Sequence, residues 1–274
     1  MKRSIFGAVL AAWLGLAAAN AQPASPSASP QPFGITRADP ELDALIAPGA
    51  RLKTIASGFG FADGPVWVRG RGGVPGYLLV SSIIGNVIYK VTPGGQVSVF
   101  LDKAGYSGTD FAHDGKLAFF ARIHVILIGP NCTGVDGQGR LVWCAGQDRA
   151  LMRLETDGSR TVLADKADGR RFNGPNDVAI APDGAIYFTD SDVGLRGGVN
   201  GGLAQMPDAV WRWKDGKVAQ VVSRAELGDE PNGIALSPDG KWLYLSAGTV
   251  SPKPRILRYP VKADGSVGPG VVFT

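Results

Sequence analysis

The residues of this chain best suited to chemistry are amides and carboxylates set beside glycine and proline. Arg171-Phe172-Asn173-Gly174-Pro175-Asn176-Asp177 runs straight into Val178-Ala179-Ile180-Ala181-Pro182-Asp183-Gly184, and then into the apolar Ala185-Ile186-Tyr187-Phe188-Thr189-Asp190. A second copy of the arrangement, Glu230-Pro231-Asn232-Gly233-Ile234-Ala235-Leu236-Ser237-Pro238-Asp239-Gly240, leads into Lys241-Trp242-Leu243-Tyr244. Oxygen donors gathered at the same point of successive repeats suit a hard cation, calcium above all, which takes several carboxylate and carbonyl oxygens in a flexible geometry. Asn176 and Asn232 are the candidate donors. Each has an ordinary alternative, as a turn residue whose side chain bonds nearby backbone.

Asp63, in Phe61-Ala62-Asp63-Gly64-Pro65-Val66-Trp67, carries the same two readings: donor, or solvated turn carboxylate. Asp177 follows Asn176 directly, so an extended chain sends it to the opposite side, where it would bond loop backbone. Asp183 and Asp239, in Pro-Asp-Gly, are turn formers. The chain has two histidines, His113 and His124, and no Gly-x-Ser-x-Gly elbow, so there is no case for a Ser-His-Asp triad. Metal-assisted hydrolysis without histidine is the enzymatic route these residue types support.

The elements that must position these groups are strands. From residue 50 onward the sequence is short apolar or alternating runs punctuated by glycine-containing turns, with no long helix-period segment. Inner turns are expected at Arg71-Gly72-Gly73, Asp136-Gly137, Asp183-Gly184 and Asp239-Gly240, and outer turns at Gly94-Gly95, Asp157-Gly158, Asp215-Gly216 and Asp264-Gly265. Asp136 and Asp183 are 47 residues apart and Asp183 and Asp239 are 56, near the period of a four-stranded propeller blade with its loops. The turn pairs imply an all-β propeller with about four blades. A β-sandwich would also alternate strands and turns, but it would not repeat the Asn-rich phrase ahead of the same strand. Trp67, Trp143 and Trp242 are expected to fill space between blades.

The N-terminus has the order of an export signal: Lys2 and Arg3, an apolar run from Ile5 to Ala19, and Ala19-Asn20-Ala21 as a cleavage site. The run is shorter than the ~20 residues a spanning helix needs. Residues 1–21 are therefore expected to be a signal peptide and residues 22–40, rich in Pro, Ser and Ala, a flexible tether ahead of a domain at 41–274. A periplasmic or secreted protein follows. Loss of Lys2 and Arg3 takes the 28 basic residues to 26 against 24 acidic, a net charge of +2. That balance speaks against nucleic acid or an anionic membrane as partner. Cys132 and Cys144 flank a hairpin-like stretch, and register decides between a disulfide and two buried thiols.

Phe61-Ala62-Asp63-Gly64-Pro65-Val66-Trp67, Gly129-Pro130-Asn131, Asn173-Gly174-Pro175-Asn176-Asp177 and Pro231-Asn232-Gly233, in this order and spacing, resemble the gluconolactonase, senescence-marker and luciferin-regenerating-enzyme-like family of six-bladed propellers. The resemblance covers about residues 50 to 274. It implies a divalent metal, usually calcium, on the propeller axis, with Asp63, Asn176 and Asn232 as ligands and Asn131 as a further polar residue near the substrate. The implied chemistry is hydrolysis of a small-molecule sugar lactone or related ester, the metal polarising the carbonyl and a carboxylate activating water, and the protein at full length is expected to be a monomer. An esterase or phosphotriesterase on the same site and a non-catalytic binding propeller are the alternatives.

Three positions depart from the family pattern. Asp63 stands where Glu is usual and Gly146 where many bacterial relatives carry His. The family's closing Asp ligand lies in a blade after the segment that ends here at Thr274, which implies a propeller lacking its C-terminal blades.

Overall fold

The structure is a computed structural model that describes residues 34–109, 127–196, 204–248 and 253–274. The expected signal segment, residues 22–33 of the tether, His113 and His124 lie outside the described residues. The chain divides into two compact units, Met1–Lys53 and Thr54–Thr274. In the first, one helical turn, α1 (Leu42–Leu45), is held by Arg37, whose guanidinium pairs with Asp43 and donates to the carbonyls of Ile46 and Ala47 at 3.0 and 2.7 Å.

Among the described residues, the second unit is a propeller-like arrangement of four antiparallel four-stranded sheets, each in simple sequential order. Blade 1 is β1 (Ala62–Val68), β2 (Tyr77–Ser82), β3 (Val87–Val91) and β4 (Val97–Leu101). Blade 2 is β5 (Thr133–Val135), β6 (Leu141–Ala145), β7 (Ala150–Leu154) and β8 (Arg160–Ala164), followed by a short ribbon, β9 (Lys166–Ala167) and β10 (Arg170–Arg171). Blade 3 is β11 (Pro175–Ile180), β12 (Ile186–Asp190), β13 (Ala209–Lys214) and β14 (Lys217–Ser223), with α2 (Val193–Arg196) between β12 and β13. After α3 (Arg224–Leu227), blade 4 is β15 (Pro231–Leu236), β16 (Trp242–Ala247), β17 (Arg255–Pro260) and β18 (Val271–Val272). Among the described residues no helix is long and apolar enough to cross a membrane.

All eight expected turns join the strands assigned to them, the inner ones β1 to β2 and its equivalents, the outer ones β3 to β4 and its equivalents. Asp183 and Asp239 cap theirs through the Ala185 and Lys241 N–H groups, at 2.9 and 3.1 Å.

The core lies between blades, and strand alternation divides it. Along β12, Ile186 and Phe188 pack toward Cys132, Val142, Cys144 and Leu151 of blade 2, whereas Tyr187 packs toward Leu243, Leu245 and Tyr259 of blade 4. In β6, Val142 and Cys144 face blade 3 while Leu141, Trp143 and Ala145 face Leu79 and Ile88 of blade 1. Every residue of β12 is accordingly buried. Trp143 fills an inter-blade space as expected, with its Nε1–H donated to the Ala104 carbonyl at 2.7 Å.

Trp67 and Trp242 do not fill such spaces. Trp67 is 52% exposed because its neighbours Val66 and Val68 take the face of β1 that meets blade 2. Trp242 alternates with the buried Leu243 and is covered instead by the Arg258 guanidinium, 4.8 Å from the ring centre.

Candidate active site

Three of the four first strands share one irregularity. Register breaks between Asp63 and Val66 in β1, between Pro175 and Val178 in β11, and between Pro231 and Ile234 in β15. Asn176 and Asn232 lie inside their breaks and Asp63 at the edge of its own. Such breaks release residues from the ladder and re-aim their side chains, which is why they recur beside active sites. Here the side chains of Asp63, Asn176 and Asn232 line one cavity of about 110 Å³, together with Asn131, Gly146 and Gln147.

Close packing at the blade seams makes this possible. Gly64, at φ +48°, lies so near blade 2 that an added Cβ would fall 2.5 Å from the Asn131 carbonyl oxygen and 2.6 Å from Cys132 Cα. Gly146 is the opposite case. An added Cβ there would meet nothing nearer than Asn131 Nδ2 at 3.7 Å, so the position opens onto the cavity.

The asparagines of this region fall into two groups. Asn173 is fully buried: its Nδ2 donates to the Met206 carbonyl at 2.9 Å and to Asp208 at 3.2 Å, and its Oδ1 accepts from the Gln205 N–H at 3.3 Å. Asn86 is bound in the same manner to Gly105 and Tyr106. By contrast, no hydrogen bond among the described residues engages the side-chain amides of Asn131, Asn176 or Asn232. The turn-residue reading of Asn176 and Asn232, which needs such bonds, is not what the fold contains.

Below the cavity the backbone that carries these donors is fixed by two aspartates. Asp190, completely buried at the end of β12, accepts from the Asn173 and Gly174 N–H groups at 2.9 and 2.8 Å and so sets the loop before Asn176. Burial pushes its carboxyl up to about 7, against the lowering effect of those two bonds. Asp190 carried no sequence signal, since it closes an apolar strand rather than a motif. Asp177 accepts from the Val178 N–H at 2.8 Å and, across the blade seam, from the Ile234 N–H at 2.9 Å, which is the backbone role expected of it.

Thr189 completes the tie. Its hydroxyl accepts from the Asp177 N–H at 3.0 Å and donates to the Asn232 carbonyl at 2.7 Å. The residue after one candidate donor is thereby joined to the backbone of the other.

Charge in the cavity is unbalanced. Burial raises Asp177 to about 6, and the Asp63 charge adds to that effect. Burial also raises the Asp63 carboxyl, against the lowering effect of the bond it accepts from the Gly64 N–H at 2.8 Å. No Lys or Arg among the described residues forms an ion pair with either. Nor is there, among those residues, a group of three or more His, Cys, Asp and Glu side chains able to hold a metal. The donor set is instead one carboxylate and neutral amide oxygens, open and beside uncompensated negative charge, which fits a hard oxygen-seeking cation. A larger groove of about 450 Å³ beside Trp67 and Arg71 gathers no comparable set of free donors.

Residues 61–274 match the sequence profile described as the SMP-30/Gluconolactonase/LRE-like region. The chain belongs to this family. It is 32% identical over 240 residues to a gluconolactonase of Zymomonas mobilis subsp. mobilis, an alignment spanning 84% of this chain and 61% of that protein. The chain thus spans less than two thirds of the length of this curated relative. Among solved structures it resembles a gluconolactonase from Xanthomonas campestris, with TM-score 0.61 and 28% identity over 78% of this chain and 62% of that one. A calcium-binding regucalcin from Agrobacterium tumefaciens shares the fold, with TM-score 0.51 and 18% identity over 78% and 59% of the respective chains.

Proposed function

We propose that this family member is a calcium-dependent lactonase that opens sugar lactones of the gluconolactone type. The observation that carries the reading is the contrast among asparagines: Asn131, Asn176 and Asn232 line one cavity with amides unengaged, while Asn86 and Asn173 have theirs bonded into the fold. A half-buried amide that makes no bond to its own loop keeps its donor and acceptor free for water or a ligand, as a binding cavity requires.

Asp63, Asn176 and Asn232 would hold the cation. When bound, a calcium ion supplies Lewis acidity toward a lactone carbonyl. Asn131, with a donor and an acceptor on its amide, orients the substrate oxygens at the cavity wall. Gly146 leaves the wall open beside it, giving a ring-sized substrate room. The basic, apolar and small-residue order of residues 1–21 supports export, which would place the reaction in the periplasm or the medium.

The test is hydrolysis of gluconolactone and of simple γ-lactones by the full chain, with and without a chelator, alongside calorimetric titration with calcium. Turnover abolished by chelation and restored by calcium is expected. Turnover indifferent to chelation would remove the metal, and calcium binding without turnover would favour a binding propeller.

A further inference from the structure

The hairpin between blades 1 and 3 holds two cysteines whose relation the register settles. β5 pairs with β6 through Thr133 opposite Trp143, Gly134 opposite Val142 and Val135 opposite Leu141. One step further toward the cavity, Cys132 stands opposite Cys144, with the Cys144 N–H donated to the Cys132 carbonyl at 3.4 Å. Opposed residues of an antiparallel pair have Cα atoms about 4.5–5.5 Å apart and side chains on one face. That range falls within the ~4.4–6.8 Å a disulfide spans. Both side chains enter the same core between blades 2 and 3, 1% and 0% exposed.

The Asn131 N–H reaches the Cys144 carbonyl at 3.3 Å, so the two bonds that extend the hairpin toward the cavity are both long. Asn131 and Gly146, on either side of the cysteine pair, line the cavity.

We infer that Cys132 and Cys144 are a disulfide pair, closed during folding in an oxidising compartment, that staples the cavity end of this hairpin. In the structure both are free thiols. Closure breaks two S–H bonds and forms one S–S bond; two protons leave, and two electrons pass to a disulfide oxidant such as oxidised glutathione, which becomes two thiols. Since both sulfurs are buried once blades 2 and 3 pack, the bond forms before that packing and is afterwards shielded from reductants. This inference stands independently of the lactonase reading.

To test it, the full chain is refolded in a mixture of reduced and oxidised glutathione, denatured without reductant, treated with iodoacetamide and weighed intact. The expected species carries no adduct and is two hydrogens lighter than the reduced chain, and reduction before alkylation gives two adducts. Two adducts without prior reduction would overturn the pair. The second measurement is thermal: the reduced chain and a Cys132→Ala/Cys144→Ala variant are both expected to melt several degrees below the oxidised chain. Equal midpoints for oxidised and reduced chains would overturn the staple even if the bond forms.

Discussion

Substituting Thr189 by valine tests whether the backbone tie beneath the cavity positions the candidate donors or only stabilises the fold. Valine has nearly the shape of threonine, so the buried space at Thr189 stays filled and the loss is confined to the hydroxyl. That hydroxyl makes two bonds, from the Asp177 N–H and to the Asn232 carbonyl. Each partner left unsatisfied costs about 1–3 kcal/mol when wholly buried. Both partners here belong to half-buried residues that water can reach, so a total near 2 kcal/mol is expected. For a unit of this size that is a fall of about 4–8 °C in Tm.

The second consequence separates positioning from bulk stability. Without the tie, Asn176 and Asn232 keep their identities but lose their shared backbone reference, and groups that orient metal ligands in this way are worth about 10–100-fold in affinity. Calcium affinity of Thr189→Val, measured by calorimetry well below its Tm, is expected to fall by about tenfold or more. Thr189→Ser keeps the hydroxyl and should recover most of the affinity while retaining a small stability loss from the missing methyl group. A valine variant that melts early yet binds calcium as tightly as the parent would refute the argument, because the tie would then be structural alone.

Three further outcomes follow from the same geometry. Asn173→Ala, which strands buried partners, is expected to cost about 2–4 kcal/mol, whereas Asn176→Ala should leave Tm almost unchanged and abolish calcium binding; denaturant unfolding and calorimetry on both variants check the contrast. Gly146→Ala should fold normally and raise KM for lactones by narrowing the cavity, while Gly64→Ala should cost several kcal/mol through its contact with the Asn131 carbonyl; expression level and Tm separate them. Asp190 has a folded pKa of about 7 against 3.8 in the unfolded chain, so its contribution is fully present below about pH 4 and is lost as pH rises through 7, on the order of 4 kcal/mol in all. Tm measured from pH 5 to 8 should therefore fall less steeply in Asp190→Asn than in the parent, and identical slopes would contradict the assignment.

Much of this was legible before any coordinates, and the reason is local. Glycine and aspartate at the inner and outer turns demand particular backbone angles whatever surrounds them, so the blade count followed from the turn pairs. The Asn-Gly-Pro-Asn-Asp phrase located the cavity, but not the division of labour within it. Asn173 and Asn176 are three residues apart and chemically identical; one is bonded into the core and one faces the cavity because of what β12 and the segment before β13 bring alongside. Asp190 and Thr189 escaped notice for the same reason, being ordinary strand residues until another blade is placed beside them. The tryptophans fail in the other direction: Trp67 has the composition of a core residue, but strand alternation gives the shared face to Val66 and Val68.

The placement of the donors also explains why a repeat fold can build a site from such plain residues. A regular strand would alternate Asn176 and Asp177 across its two faces and bond both backbones into the ladder, leaving neither free to leave the sheet plane. A register break at the same point of β1, β11 and β15 suspends the ladder there. The break alone would leave a loose loop, and the bonds lost from the ladder are replaced by side chains: Ser246 Oγ accepts from the Gly233 N–H at 2.7 Å, Asp177 from Ile234, and Thr189 from Asp177. Two of these come from the adjacent strand of the same blade, whereas the Asp177 bond to Ile234 and the Thr189 bond to the Asn232 carbonyl cross from blade 3 to blade 4, so Asn176 and Asn232 share one frame only when those blades have packed. The site is therefore a property of the blade seams rather than of any one blade, and a change that loosens the seam between blades 3 and 4 should weaken calcium binding before it unfolds either blade.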